Sequence, residues 1–156
     1  IAALVIALDQ LSKLWIRGNL IPRESFLVVG RLNFTHVWNT GSAFGLLANQ
    51  TFLLTIVTVA SLLIILLFLH YLSRVATLGI VSVGLIFGGA VGNLIDRLSR
   101  GYVTDFVDIR LWGDFHWPAF NLADTAIVVG IFTLIYSLYR LGLFRKVYEH
   151  KRQAKN

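Results

Sequence analysis

Apolar residues fill three long stretches of the chain, and charged residues mark where those stretches stop. No Asp, Glu, Lys or Arg stands between Arg31 and Arg74, or between Arg74 and Asp96. A bilayer core about 30 Å thick takes roughly 20 apolar helical residues to cross. Thr51–Ser73 and Val75–Ile95 both reach that length, and a third span is expected near Pro118–Leu141, with one acid inside it, Asp124. Ile1–Ile16 is a fourth candidate, interrupted by Asp9 and Lys13. It is short and does not open with Met, so the chain is expected to begin inside this helix. A signal peptide is the weaker reading, because no small-residue cleavage site follows. The expected helices are about 1–16, 51–73, 76–96 and 119–141, with a tail over 142–156.

The pattern changes between Ser25 and Ala48. Leu32, Phe34, His36 and Trp38 alternate with Asn33, Thr35, Val37 and Asn39. A period of two predicts a half-buried strand, and Phe26–Val29 before Gly30 predicts its hairpin partner. Asn39-Thr40-Gly41-Ser42 is turn chemistry. Val103–Ile109 has strand propensity as well. Unpaired backbone is not tolerated in hydrocarbon, so such a sheet belongs at the membrane interface. Trp112, Phe115, Trp117 and Phe120 read as interfacial anchors more than as substrate contacts.

Helical spacing then groups the polar residues. Asp9 and Lys13 are four apart, acid first, which favours an ion pair; an acid this deep in a span also suits a polar cavity. Gly84, Gly88 and Gly92 form a small-xxx-small stripe that admits another helix closely. Asn93, Asp96 and Arg97 fall on one face, as do Asn121 and Asp124.

Composition confirms lipid as the solvent. Of 156 residues, 56% are hydrophobic and 14% charged, against about 25% charged in a soluble domain. Net charge is +6. From Arg140 to Asn156, both included, there are six Lys/Arg and one Glu. After a transmembrane helix, such a tail marks the cytoplasmic side rather than a nucleic-acid partner. Four helices then place both termini and the Arg74 turn in the cytoplasm, with 17–50 and 97–117 outside. The chain has no Cys, which removes disulfides, a thiolate nucleophile and thiolate metal ligands.

The acids at or near membrane depth are Asp9, Asp96, Asp105, Asp108 and Asp124. An ionised Asp at the centre of a span costs on the order of 2.5–3.5 kcal/mol, so Asp124 calls for an explanation. Two close carboxylates share a proton, and can draw a proton from water while donating one to a carbonyl oxygen. Other routes are poorly supplied. There is no Gly-x-Ser-x-Gly, and His36, His70, His116 and His150 have no metal-ligand spacing. No metal and no cofactor is expected. Asp105 and Asp108 are three apart, so in a strand only one faces the site. Asp96, followed by Arg97, suits an ion pair or a cap. Spacing puts Asp124 first and leaves its partner open among Asp96, Asp105 and Asp108.

Five motifs, in order, resemble the bacterial lipoprotein signal peptidases (signal peptidase II). They are Asp9-Gln10 with Lys13, Asn39-Thr40-Gly41-Ser42-Ala43-Phe44, Gly88 through Arg97, Val103-Thr104-Asp105-Phe106, and Phe120-Asn121-Leu122-Ala123-Asp124. The resemblance spans nearly the whole chain. It implies one integral-membrane peptidase domain over 1–156, with an all-α membrane fold. Four transmembrane helices would carry a small extracytoplasmic β-sheet and an outer loop. It implies an aspartic endopeptidase of the bacterial cytoplasmic (inner) membrane that removes signal peptides from prolipoproteins, cutting before the diacylglyceryl cysteine. The catalytic pair it implies is Asp105 and Asp124. Asn39, Gly41, Asn93, Arg97 and Asn121 would support the site or hold substrate, and Asp9 and Asp96 would support structure. Partners implied are the prolipoprotein, membrane lipid and globomycin-type cyclic peptides. Two rival readings are a small proton-coupled transporter using Asp124 and a scaffold that dimerises through Gly84, Gly88 and Gly92.

Overall fold

The computed structural model describes residues 1–41, 49–72 and 77–141. The Ser42–Phe44 half of the second motif, the Arg74 turn, the side chain of His70 and the basic tail lie outside the described residues. In chain order the elements are α1 (Ala2–Asn19), β1 (Ser25–Val29), β2 (Leu32–Asn39), α2 (Thr51–Leu72), α3 (Thr77–Arg100), β3 (Val103–Trp112), β4 (Phe115–Phe120) and α4 (Leu122–Arg140).

The usual distribution of polar and apolar side chains is inverted. Asp9, Lys13 and Asp96 are wholly buried, while Phe52 is 80% and Phe132 69% exposed. Charged side chains are almost never buried unless paired, and apolar rings turn outward en masse only where the surroundings are apolar too. α3 and α4 are long and apolar enough to cross a membrane. α1 carries Asp9, Lys13 and Arg17 within 18 residues, so length and composition alone do not mark it as a span. The described part of α2 counts as a shorter apolar helix.

α3 is the hub, and its glycines explain why. A methyl on Gly88 would stand 2.8 Å from the Ala2 carbonyl oxygen, and one on Gly92 would stand 2.6 Å from Asp9 Oδ2. One on Gly89 would run into the Ala123 carbonyl oxygen and come within 2.8 Å of Ile127 Cγ1. The stripe therefore admits α1 on one side, and Gly89 admits α4 on the other. This corrects the scaffold reading, since Gly84, Gly88 and Gly92 are covered by the chain's own first helix.

The small sheet expected beside the helices is present, as one four-stranded antiparallel sheet in the order β1-β2-β3-β4. The stretch between α3 and α4, expected to end in a loop, is a hairpin of β3 and β4, with Gly113 at φ +52° between its strands. Phe120, expected inside the fourth helix, is the last residue of β4 and pairs with Val107. Helix four begins at Leu122 rather than near 119, because the ladder claims the preceding residues. α1 runs past the expected Ile16 to Asn19.

A register shift in β2 between Phe34 and Val37 sets two residues against Phe106. There His36 bonds the α1–β1 connection through its backbone, from Arg23 N–H at 2.8 Å and to the Glu24 carbonyl at 3.0 Å. Beyond the bulge Asn39 pairs with Val103, making it the diagonal neighbour of Asp105 on the same face. Ile16, Leu20 and Phe106, with Phe34 and Val107 against them, pack the sheet onto the end of α1.

Candidate functional site

The site starts where β4 hands over to α4. Asn121 is the N-cap: the Asp124 backbone N–H donates to Asn121 Oδ1 at 2.9 Å, and the Asn121 N–H donates to Asp124 Oδ2 at 3.2 Å. This reciprocal box satisfies two of the four donors that a helix start leaves open. It also answers the question raised by the acid. Asp124 stands in the first turn, beside the positive end of the helix dipole, not in mid-span.

Asp105 is 1% exposed, and each of its oxygens accepts one amide N–H. Asn121 Nδ2 donates to Oδ1 at 2.7 Å, and Asn39 Nδ2 donates to Oδ2 at 2.8 Å. Gly41 N–H donates to Asn39 Oδ1 at 2.9 Å and fixes that amide's orientation. Burial pushes the Asp105 carboxyl up to about 7, and the negative charge of Asp124 pushes the same way. The Asn39 and Asn121 donors pull against this, because they favour the charged form.

Asn93 closes the circuit. Its Nδ2 donates to Asp124 Oδ1 at 2.8 Å, and its Oδ1 accepts from Asn121 Nδ2 at 3.1 Å. Sequence spacing placed Asn93 and Asn121 on faces of two helices; the packing of α3 on α4 brings the two faces together.

Beneath the carboxyl pair lies a buried charge cluster. Lys13 Nζ reaches Asp9 Oδ2 at 2.8 Å and Asp96 Oδ2 at 3.4 Å. It also donates to Asn93 Oδ1 at 2.8 Å. Asp9 pairs with Lys13, the first of its two readings, and its other oxygen accepts the Ala123 backbone N–H at 3.0 Å. Asp96 has the ion-pair role expected of it, with cations of α1 in place of Arg97: it takes Lys13, Arg17 Nη1 at 3.4 Å and the Thr104 N–H at 3.0 Å. Arg97 lies within electrostatic reach of Asp124, Asp105 and Asp96, and its guanidinium makes no hydrogen bond or ion pair among the described residues.

Asp108 is separated from the pair. Its Oδ1 meets His116 Nδ1 at 2.6 Å and its Oδ2 accepts from Thr35 Oγ1 at 2.9 Å, all on the sheet. Sequence reasoning overlooked Arg17 and Thr104, whose side chains bond each other at 3.0 Å. The only sequence signal was that Thr104 adjoins Asp105. Among the described residues no group of three or more His, Asp or Glu gathers as a metal site would.

The profile of a family described as Signal peptidase (SPase) II matches residues 1–140. The chain belongs to the signal peptidase II family. It is 50% identical over 139 residues to the lipoprotein signal peptidase of Moorella thermoacetica, covering 88% of this chain and 89% of that one. It is 44% identical to that of Syntrophomonas wolfei, covering 81% and 82%. A bacterial membrane enzyme solved in meso at 2.3 Å superposes with a TM-score of 0.80 at 32% identity, covering 89% of this chain and 85% of that one. A second, at 1.9 Å, gives 0.72 at 32% identity, covering 88% of each. Membership of signal peptidase II makes the chain a membrane peptidase and leaves the transporter reading without support.

Proposed function

We propose that this chain is an aspartic endopeptidase that removes signal peptides from diacylglyceryl-modified prolipoproteins, cutting before the lipidated cysteine. One observation carries the aspartic assignment. Asn121 holds Asp105 through its side chain and Asp124 through its backbone, so one residue fixes both carboxyls in relation to each other.

Asp105, the more deeply buried, carries the shared proton. Asp124 is ionised and only partly buried. It draws a proton from a water held between the two carboxyls. The resulting hydroxide attacks the scissile carbonyl, and the Asp105 proton stabilises the oxyanion. The proton on Asp124 then passes to the leaving amine. Arg97, a partly buried cation beside this pair, suits a lipid headgroup oxygen or a peptide carbonyl. Four helices crossing the cytoplasmic membrane, with both termini inside, would set the pair at the outer leaflet. There the substrate's acyl chains can stay in lipid while the peptide reaches the sheet. A globomycin-type cyclic peptide would compete with the substrate for the same carboxyl pair.

The test is cleavage of a lipidated prolipoprotein in liposomes. Asp105→Asn and Asp124→Asn should each fold and lose turnover, and EDTA should leave wild-type cleavage intact. Normal cleavage by either variant would sink the pair, and loss of activity on chelation would point to a metal.

A further inference from the structure

We propose that Lys13 is a positioning residue for the carboxyl pair: its ammonium dictates which end of the Asn93 amide faces Asp124. The inference rests on the catalytic reading of Asp105 and Asp124.

An ammonium has three donors and no acceptor. Lys13 is wholly buried, and three acceptors surround its Nζ: Asp9 Oδ2 at 2.8 Å, Asn93 Oδ1 at 2.8 Å and Asp96 Oδ2 at 3.4 Å. Only the oxygen end of Asn93 can face such a neighbour. The nitrogen end must then point the other way, where it meets Asp124 Oδ1 at 2.8 Å. An N–H directed at a carboxyl oxygen favours the carboxylate. Lys13 thereby keeps Asp124 in the form that accepts a proton from water, without touching it.

Asn121 Nδ2 pushes the amide the same way, at 3.1 Å from Asn93 Oδ1. That group also serves Asp105 Oδ1 at 2.7 Å and the Thr104 carbonyl at 3.4 Å, and it is uncharged. A charge-assisted bond is roughly twice as strong as a neutral one, so Lys13 dominates. Without it the Asn93 amide can turn over, set a lone pair against Asp124 and demand a protonated carboxyl there.

The charged groups facing Lys13 are Asp9 on α1 and Asp96 on α3. Asp105 on β3 and Asp124 on α4 also lie within its electrostatic reach. Arg17 occupies the other oxygen of Asp96. A cation placed only to neutralise Asp9 and Asp96 would need no contact with Asn93. The 2.8 Å bond to that amide ties the cluster to the chemistry.

The experiment compares wild-type enzyme with Lys13→Met in liposomes, with cleavage normalised to folded protein. The expected result is a kcat lower by about 10- to 100-fold, the worth of one hydrogen bond to a charged group. KM should stay within about threefold, and the acidic limb of the pH–rate profile should move to higher pH. A merely structural role predicts less folded enzyme with an unchanged kcat and an unmoved limb, and that outcome overturns the proposal. Should Lys13→Met fail to fold, wild-type enzyme decides. With asparagine side-chain nitrogens labelled, the Asn93 Nδ2 signal should titrate along the acidic limb. A signal flat across that limb overturns the proposal equally. If Asp105→Asn and Asp124→Asn are dead while folded Lys13→Met turns over at the wild-type rate, the positioning role of Lys13 falls and the carboxyl pair stands.

Discussion

Asn121 and Asp105 are joined by a 2.7 Å hydrogen bond from side-chain amide to carboxyl oxygen. The residue that starts α4 is thus also the residue that orients the buried acid of β3. Its two duties can be separated. Asn121→Ala should lose the cap, at about 1 kcal/mol, together with cleavage. Asn121→Ser keeps a capping oxygen but cannot reach Asp105 with an N–H. Thermal unfolding in detergent should return towards wild type in Asn121→Ser while turnover stays low.

The pH profile follows from Asp105. Its carboxyl sits at about 7, and the proposed chemistry needs it protonated. Turnover should therefore decline as pH rises through about 7, by roughly tenfold per unit beyond it. A kcat profile flat from pH 6 to 9 would contradict that role.

Asp108 provides the control. It lies three residues from Asp105, but its oxygens are engaged by His116 and Thr35. Asp108→Asn should keep most of its cleavage, within about threefold, where Asp105→Asn loses it. A steady-state comparison of the two folded variants decides the matter.

Asp96 balances buried cations. Asp96→Ala would leave Lys13 and Arg17 facing one carboxylate fewer, and breaking a buried pair typically costs about 3–5 kcal/mol. Asp96→Asn can still accept the Thr104 N–H and should lose less. Calorimetric unfolding of the two variants should rank them in that order.

Gly89 tests the packing of α3 on α4. Gly89→Ala forces a methyl onto the Ala123 carbonyl, which is backbone and cannot swing aside. Overpacking of this kind costs about 1–3 kcal/mol. Because Ala123 directly precedes Asp124, turnover should fall along with the unfolding temperature. Gly84→Ala meets the Ile1 side chain at 3.1 Å and backbone, Ala2 N, no nearer than 3.7 Å, and should be milder on both counts.

The apolar runs and the period-two stretches determined a great deal unaided. α2, α3, β1, β2 and β3 fall where the pattern places them, because lipid demands long uncharged helices and a pleated edge demands alternation. The Asn121–Asp124 spacing revealed a shared helix face, and the resemblance singled out Asp105. Spacing alone did not choose the partner of Asp124 among Asp96, Asp105 and Asp108. Only the fold separates them. The bulge in β2 sets Asn39 diagonal to Asp105. The β4 ladder delays α4 until Asn121 can cap it, and the glycines of α3 let α1 bring Lys13 under Asn93. Such relationships join residues as far apart as 13 and 93, or 39 and 105. Local propensity acts over one turn or one strand pair, so contacts of that range are set by packing alone.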